Sequence, residues 1–142
     1  MIGDDLGRMN EVIDEISYFN IENNVTILNS QKDTSGILSA IDFFIFPSIF
    51  EGIPLALIES QVNGIPCLFS DIIPMEVKIS INSHPFSLKY SPSDWALRVI
   101  ELIDENSILN LQNRIYNSQN ISNNYNTELI CHELESIYKL AI

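Results

Sequence analysis

Two carboxylates, Glu51 and Glu59, stand eight positions apart in the stretch Pro47-Ser48-Ile49-Phe50-Glu51-Gly52-Ile53-Pro54-Leu55-Ala56-Leu57-Ile58-Glu59-Ser60-Gln61, around what reads as the start of a helix. Pro54 suits a first helical position, where a missing N–H and a fixed φ cost nothing, and Gly52 allows the loop before it to turn tightly. The unpaired N–H groups of a helix start, together with its dipole, attract phosphate. An acid on the loop beside them therefore suits sugar hydroxyls next to a diphosphate better than the phosphate itself. Glu59, about one turn into the helix, could accept a pair of hydrogen bonds from vicinal hydroxyls, and a ribose diol is the natural partner. Taken singly, each acid has a plainer reading: Glu51 as a partner for the helix dipole, Glu59 as a solvent-facing residue on a half-buried helix.

The elements that must position these acids are legible around them. Phe43-Phe44-Ile45-Phe46, closed by Pro47, is a short run of strand formers, and Cys67-Leu68-Phe69-Ser70 is another. Between them the helix is stopped by Asn63-Gly64, a left-handed cap, and by Pro66. A unit of strand, loop, helix and strand puts Glu51 at the carboxyl end of a strand, where open α/β sheets bind ligands. Leu6, Met9, Ile13, Ile16 and Phe19 recur at helical spacing, so 5–19 is expected as an amphipathic helix packed on the sheet, slightly weakened by Gly7. Ser91-Pro92-Ser93-Asp94 opens a further helix whose buried face carries Trp95, Val99, Leu102 and Ile103. Asn106 and Thr127 are expected caps for helices over 108–116 and 128–140, with a polar, flexible connection at 117–126, and His84 reads as loop.

With those segments in place the chain resembles the C-terminal, donor-binding domain of the retaining group 1 glycosyltransferases, family four, which have the GT-B fold. Glu51 and Glu59 match that family's paired glutamates as E-GIPLALI-E. Met1-Ile2-Gly3-Asp4-Asp5 is similar to its strand and GDG turn, Asn24 to Leu28 to its NVxFLG strand, and Ser39 to Ser48 to its SAADVFVFPS segment. Gly64-Ile65-Pro66-Cys67 and Ser70-Asp71 continue it as GxPVxxSD. The resemblance implies an α/β fold, a Rossmann-like, doubly wound parallel sheet with helices on both faces. It implies transfer of a hexose from a nucleotide-sugar donor to a glycan acceptor with retention, in capsule, exopolysaccharide or other surface glycan synthesis. Glu51 inherits a place near the transferred sugar and is the candidate catalytic residue, Glu59 contacts the ribose, and Gly52, Ile53, Pro54 and Leu55 bring the main chain to the diphosphate. Many relatives carry a glycine pair before a glutamate in the next loop. Here the loop reads Asp71-Ile72-Ile73-Pro74-Met75-Glu76, which leaves Glu76 a weaker donor-binding candidate.

The same resemblance marks what this chain does not contain. In the family an arginine and a lysine upstream of the GDG-like turn also hold the donor phosphates, and the acceptor site belongs to an N-terminal domain. The 142 residues are expected to form one incomplete domain, N-terminally truncated, with the first strands of the 3-2-1-4-5-6 order missing. Strand edges left open there predict self-association or a need for the missing part, and an isolated chain that is inactive. A non-catalytic donor-binding partner, or an inactive remnant of a split or truncated enzyme, is the alternative. A flavodoxin-like module, with Asp4-Asp5 imitating its acidic cluster, fits the later motifs poorly.

Composition bounds the rest. Hydrophobic residues make up 46% and charged residues 18%, as in a globular domain. The net charge of −12, from 7 basic and 19 acidic residues, speaks against nucleic acid and anionic membrane as partners. It also opposes an anionic donor, which must rely on local N–H groups or on basic residues outside this chain. No apolar run approaches a membrane span, and a cytoplasmic place is expected, at the inner face of the membrane for a full-length enzyme. Cys67 reads as core, two cysteines make no disulfide framework, and His132-Glu133 lacks the second histidine of a zinc helix. No cofactor and no metal are expected.

Overall fold

The strand Cys67–Ser70 (β2) is buried at every residue, which is the signature of a central parallel strand covered on both faces. In the computed structural model, which describes residues 7–105, 111–122, 131, 132, 135, 136 and 139, this strand lies between Phe44–Phe46 (β1) and Ser83–Phe86 (β3) in a parallel sheet of order β1-β2-β3. Phe44 pairs with Cys67 and Phe46 with Phe69, while Cys67 pairs with Ser83 and Ser70 with Phe86. The helices are α1 (Met9–Tyr18), α2 (Ser35–Ala40), α3 (Leu55–Val62), α4 (Pro92–Glu105) and α5 (Leu111–Ser122).

Alternation along β2 assigns the two layers. Cys67 and Phe69 point to one side, where they meet Leu57 of α3 and Ile73, with Phe44, Phe46 and Val77 packed around them. Leu68 points to the other, against Trp95 and Leu102 of α4, with Phe43, Phe86, Leu88 and Val99. Each large apolar side chain fully withdrawn from water contributes about 1.5–3 kcal/mol, so the cluster on β2 is what commits the fold. Helices on both faces of a parallel sheet make the chain an α/β, doubly wound, Rossmann-like unit. Three strands in chain order correspond to one side of the switch in the 3-2-1-4-5-6 scheme.

The chain divides into two compact units, Met1–Ile37 and Leu38–Ile142, and the sheet belongs to the second. In the first, α1 starts at Met9, because Gly7 takes φ +88, a left-handed value outside any helix. Gly7 thus precedes the helix it was expected to weaken; no residue of α1 is buried, and Ile13 and the following Phe19 are exposed. Val25 is extended, but of the expected strand only Leu28 forms an isolated bridge. A strand exists only as one side of a hydrogen-bonded ladder, and short apolar character does not create one.

Two further segments differ from expectation. His84 lies in β3 and not in a loop. The ladder with buried β2 recruits Ser-His-Pro-Phe despite poor β propensity, and Pro85, lacking an N–H, is tolerated because among the described residues β3 pairs only with β2. The helix expected to end near 116 continues to Ser122, through half of the segment read as flexible, and Ile121 is buried within it. Packing of the buried Ile121 outweighs the weak helix propensity of Asn and Ser. Cys131, His132, Glu135, Ser136 and Lys139 are helical, whereas the cap residues Asn106 and Thr127 lie outside the described residues. Ser91 and Asp94 form the capping box that opens α4: Asp94 Oδ2 accepts from the Ser91 N–H at 2.9 Å, and Ser91 Oγ accepts from the Asp94 N–H at 3.2 Å. The Ser91 hydroxyl, donating to Asp94 Oδ2 at 2.6 Å, and after it the Ser91 N–H hold the Asp94 carboxyl below its ordinary range.

Candidate donor-binding site

Beyond the last residue of β1 the chain turns through Pro47 to Pro54 and enters α3. Pro54 takes φ −78 and ψ 77 and sits just before the first helical residue, one place earlier than its type predicts. Its side chain is fully buried, while Ile49, Phe50, Ile53 and Leu55 around it stay 79%, 85%, 75% and 64% exposed. One proline thus pins the helix entrance, and the rest of the turn faces outward. The Leu55 N–H donates to the Ile53 carbonyl at 2.9 Å and the Leu57 N–H to the Pro54 carbonyl at 3.0 Å. Pro54 has no N–H, and the N–H groups of Gly52, Ile53 and Ala56 have no backbone partner among the described residues. Gly52 has no unusual φ, and no heavy atom lies within 4 Å of where its Cβ would stand. The chain's own packing therefore gives no reason for a glycine at that position.

Glu51 is half-buried on this loop, and its Oε1 accepts from the Ser48 hydroxyl at 2.8 Å. Glu59 lies in the second turn of α3, exposed, with its carbonyl accepting from the Asn63 N–H at 3.0 Å. The stretch between the two acids includes the opening turn of the helix, at the carboxyl end of β1. Glu76 is exposed on a 3₁₀ turn, Met75–Val77, in the loop that follows β2. That loop is held by Gln61, a fully buried amide that donates to the Val77 carbonyl at 2.9 Å and accepts from the N–H groups of Ile79 at 3.0 Å and Ser80 at 3.1 Å. Both ends of the amide are satisfied, so a buried polar side chain costs little and ties α3 to the loop carrying Glu76.

The far end of α3 is closed by different means. Gly64 takes φ +76, and a Cβ there would lie within contact of the Arg114 main chain on α5. The Arg114 guanidinium donates to the carbonyls of Asn63 at 3.2 Å and Ile41 at 2.9 Å, to the Leu38 carbonyl, and to Asn63 Oδ1 at 2.7 Å. One arginine therefore caps the carbonyls left open where two helices end. The Cys67 thiol is pushed up to about 12, chiefly by burial, against a smaller lowering from the Ser83 hydroxyl. Among the described residues no group of three or more His, Cys, Asp or Glu could hold a metal ion, and no helix is long and apolar enough to cross a membrane.

Residues 1–120 match the family model described as glycosyl transferases group 1. The chain belongs to the group 1 glycosyltransferases. Relatives in the family include a UDP-Gal:alpha-D-GlcNAc-diphosphoundecaprenol alpha-1,3-galactosyltransferase of Escherichia coli, 27% identical over 78% of this chain and 31% of its own length. A putative glycosyltransferase EpsF of Bacillus subtilis is 33% identical over 61% of this chain and 23% of its length. The capsular polysaccharide biosynthesis glycosyltransferase CapH of Staphylococcus aureus is 27% identical over 83% of this chain and 31% of its length. The chain thus spans about a quarter to a third of these relatives. Among solved structures, the pneumococcal O-GlcNAc transferase GtfA in complex with UDP and GlcNAc superposes with a TM-score of 0.68 at 20% identity, over 94% of this chain and 27% of that one. At that identity the likeness is one of fold.

Sequence reasoning gives no role to Gln61, which ties α3 to the loop after β2, or to Arg114, which closes the ends of two helices. Gln61 had a signal, since Leu57, Ser60, Gln61 and Gly64 recur on one helical face and all four are buried. Arg114 had none, because its partners lie 51 to 76 positions away in sequence.

Proposed function

We propose that this chain supplies the donor-binding domain for retaining transfer of a hexose from a nucleotide sugar to a glycan acceptor, in the assembly of a surface polysaccharide. One observation carries the reading: Glu51 and Glu59 flank the N-terminal turn of α3 at the carboxyl end of β1, beside N–H groups with no backbone partner among the described residues. Glu51 meets hydroxyls of the transferred sugar, Glu59 the ribose diol, and the open space at Gly52 admits the diphosphate to the amides of Gly52, Ile53 and Ala56. Ile53, Pro54 and Leu55 shape this approach through their main chain, and Glu76 on the neighbouring loop is a further contact to the donor. The acids position the donor and neither acts as a nucleophile. The main catalytic contribution is stabilisation of the leaving diphosphate, with no metal or cofactor invoked.

With a net charge of −12 the chain has little general attraction for an anionic donor, so binding rests on these local donors, on basic groups of the domain that lie outside this chain, or on both. The acceptor site is assigned to another domain, and the place of action to the cytoplasmic face of the membrane. The capsular and diphosphoundecaprenol wording of the relatives supports this setting. Calorimetric titration of the purified chain with UDP-galactose, UDP-N-acetylglucosamine and GDP-mannose tests the reading. Binding of one of them, weakened about tenfold or more by Glu59→Ala through loss of charge-assisted hydrogen bonds, is the expected result. Absence of binding to all three overturns it in favour of an inert remnant.

A further inference from the structure

Ser70 and Ser48 link two strand ends to the loop acid in a way that the pattern of paired glutamates does not require. Ser70, the last residue of β2, is fully buried, and its hydroxyl donates to the Ser48 carbonyl at 2.5 Å. Ser48 follows β1 by two positions, so this bond ties together the carboxyl ends of adjacent strands. The Ser48 hydroxyl in turn donates to Glu51 Oε1 at 2.8 Å, with the Phe50 carbonyl 3.1 Å away as its other acceptor. One hydrogen serves two acceptors, and the ionised one is favoured.

We infer that Ser48, fixed from beneath by Ser70, is a positioning residue that aims the Glu51 carboxylate at the donor sugar. This rests on the donor-binding reading given above. A free glutamate side chain loses several rotatable torsions when it is ordered, and that loss opposes binding. Ser48 imposes the order in advance, by a contact to one oxygen of a group with acceptor capacity on both. The rigidity originates in the buried core strand, since Ser70 belongs to the same β2 whose Leu68 and Phe69 anchor the two faces of the sheet. Such support is what allows an exposed loop to hold a ligand group in a fixed direction.

The test compares affinity for the nucleotide sugar with affinity for its own nucleoside diphosphate, UDP or GDP, because only the former has the hydroxyls that Glu51 is proposed to meet. Ser48→Ala is expected to reduce the nucleotide-sugar preference about five- to tenfold, the range of one lost charge-assisted contact. Ser48→Thr, which keeps the hydroxyl, should restore it, and in a Glu51→Ala background Ser48→Ala should add nothing. Should Ser48→Ala not fold cooperatively, Ser48→Cys keeps the volume with only a weak donor and is expected to show the same loss of preference. A Ser48 role confined to loop shape would weaken both ligands in proportion, or act equally with and without Glu51, and either result overturns the inference while leaving the donor-binding reading intact. A wild-type chain that binds none of the nucleotide sugars overturns both.

Discussion

The two ends of helix α3 are built to opposite specifications. At its start, Ile49, Phe50, Ile53 and Leu55 are largely exposed, Gly52 has empty space beside it, and the one buried anchor of the turn is Pro54. At its finish, Gly64 is pressed against the Arg114 main chain, the Arg114 guanidinium takes four acceptors, and Gln61 makes bonds in both directions. Satisfied polar groups and close packing mark the end that serves stability. Unspent donors and open space mark the end proposed to serve a ligand, where binding needs groups the fold has not already used.

The contrast is broken or sharpened most forcefully at Gly64. Gly64→Ala forces a side chain into a left-handed φ and into contact with the Arg114 main chain, with backbone the element that must give. A loss of about 3 kcal/mol in denaturant unfolding is expected, and a loss under about 0.5 kcal/mol, typical of surface sites, would remove the claim that this end is tight. Next is Arg114→Ala, which strands four acceptors and should cost about 2 kcal/mol. Arg114→Lys should recover little of it, because an ammonium cannot reproduce the planar fork. Full recovery by lysine would mean that charge and not geometry holds the helix ends.

A smaller effect is readable through Cys67. Its folded-state pKa is raised to about 12 by burial, so the fold favours the neutral thiol. The corresponding stability is complete below the ordinary thiol range and is lost as pH rises from there towards the folded value. Between about pH 10 and 11 the loss should approach 1.4 kcal/mol per pH unit relative to Cys67→Ala measured alongside. Equal slopes for the two proteins would place Cys67 outside the dry core. Gly52→Ala completes the series with the smallest effect on stability, within about 0.5 kcal/mol, since its Cβ meets nothing. If the open end is reserved for a diphosphate, the same substitution should nevertheless weaken nucleotide-sugar binding about tenfold, a difference of about 1.4 kcal/mol.

The two ends also differ in how far they could be read in advance. Gly52 and Pro54 announce the helix start beside which Glu51 and Glu59 are proposed to bind the donor, because capping, dipole and turn preferences act over a few residues. Gly64 announced the stop in the same way, and Ser91 with Asp94 announced α4. The tight end is closed by Arg114 reaching back 51 to 76 positions, and no local pattern encodes such a partner. Tertiary context likewise made β3 from Ser-His-Pro-Phe and carried α5 to Ser122, against propensity in both cases. Helix α2, not anticipated from the sequence, left a trace: Asp33 accepts from the Ser35 N–H at 2.9 Å and from its hydroxyl at 2.6 Å just ahead of the helix, a capping contact. Val25 to Leu28 erred the other way, since apolar strand formers need a neighbouring ladder before they count as a strand.

Amide hydrogen exchange on the purified chain, with and without saturating nucleotide sugar, reads directly which end of α3 meets the donor. Protection should appear at Gly52, Ile53 and Ala56, the amides without backbone partners, with Asn63 to Ile65 unchanged. Protection confined to the Asn63 to Ile65 end, or none around Gly52 despite measured binding, would contradict a donor site at the opening of this helix.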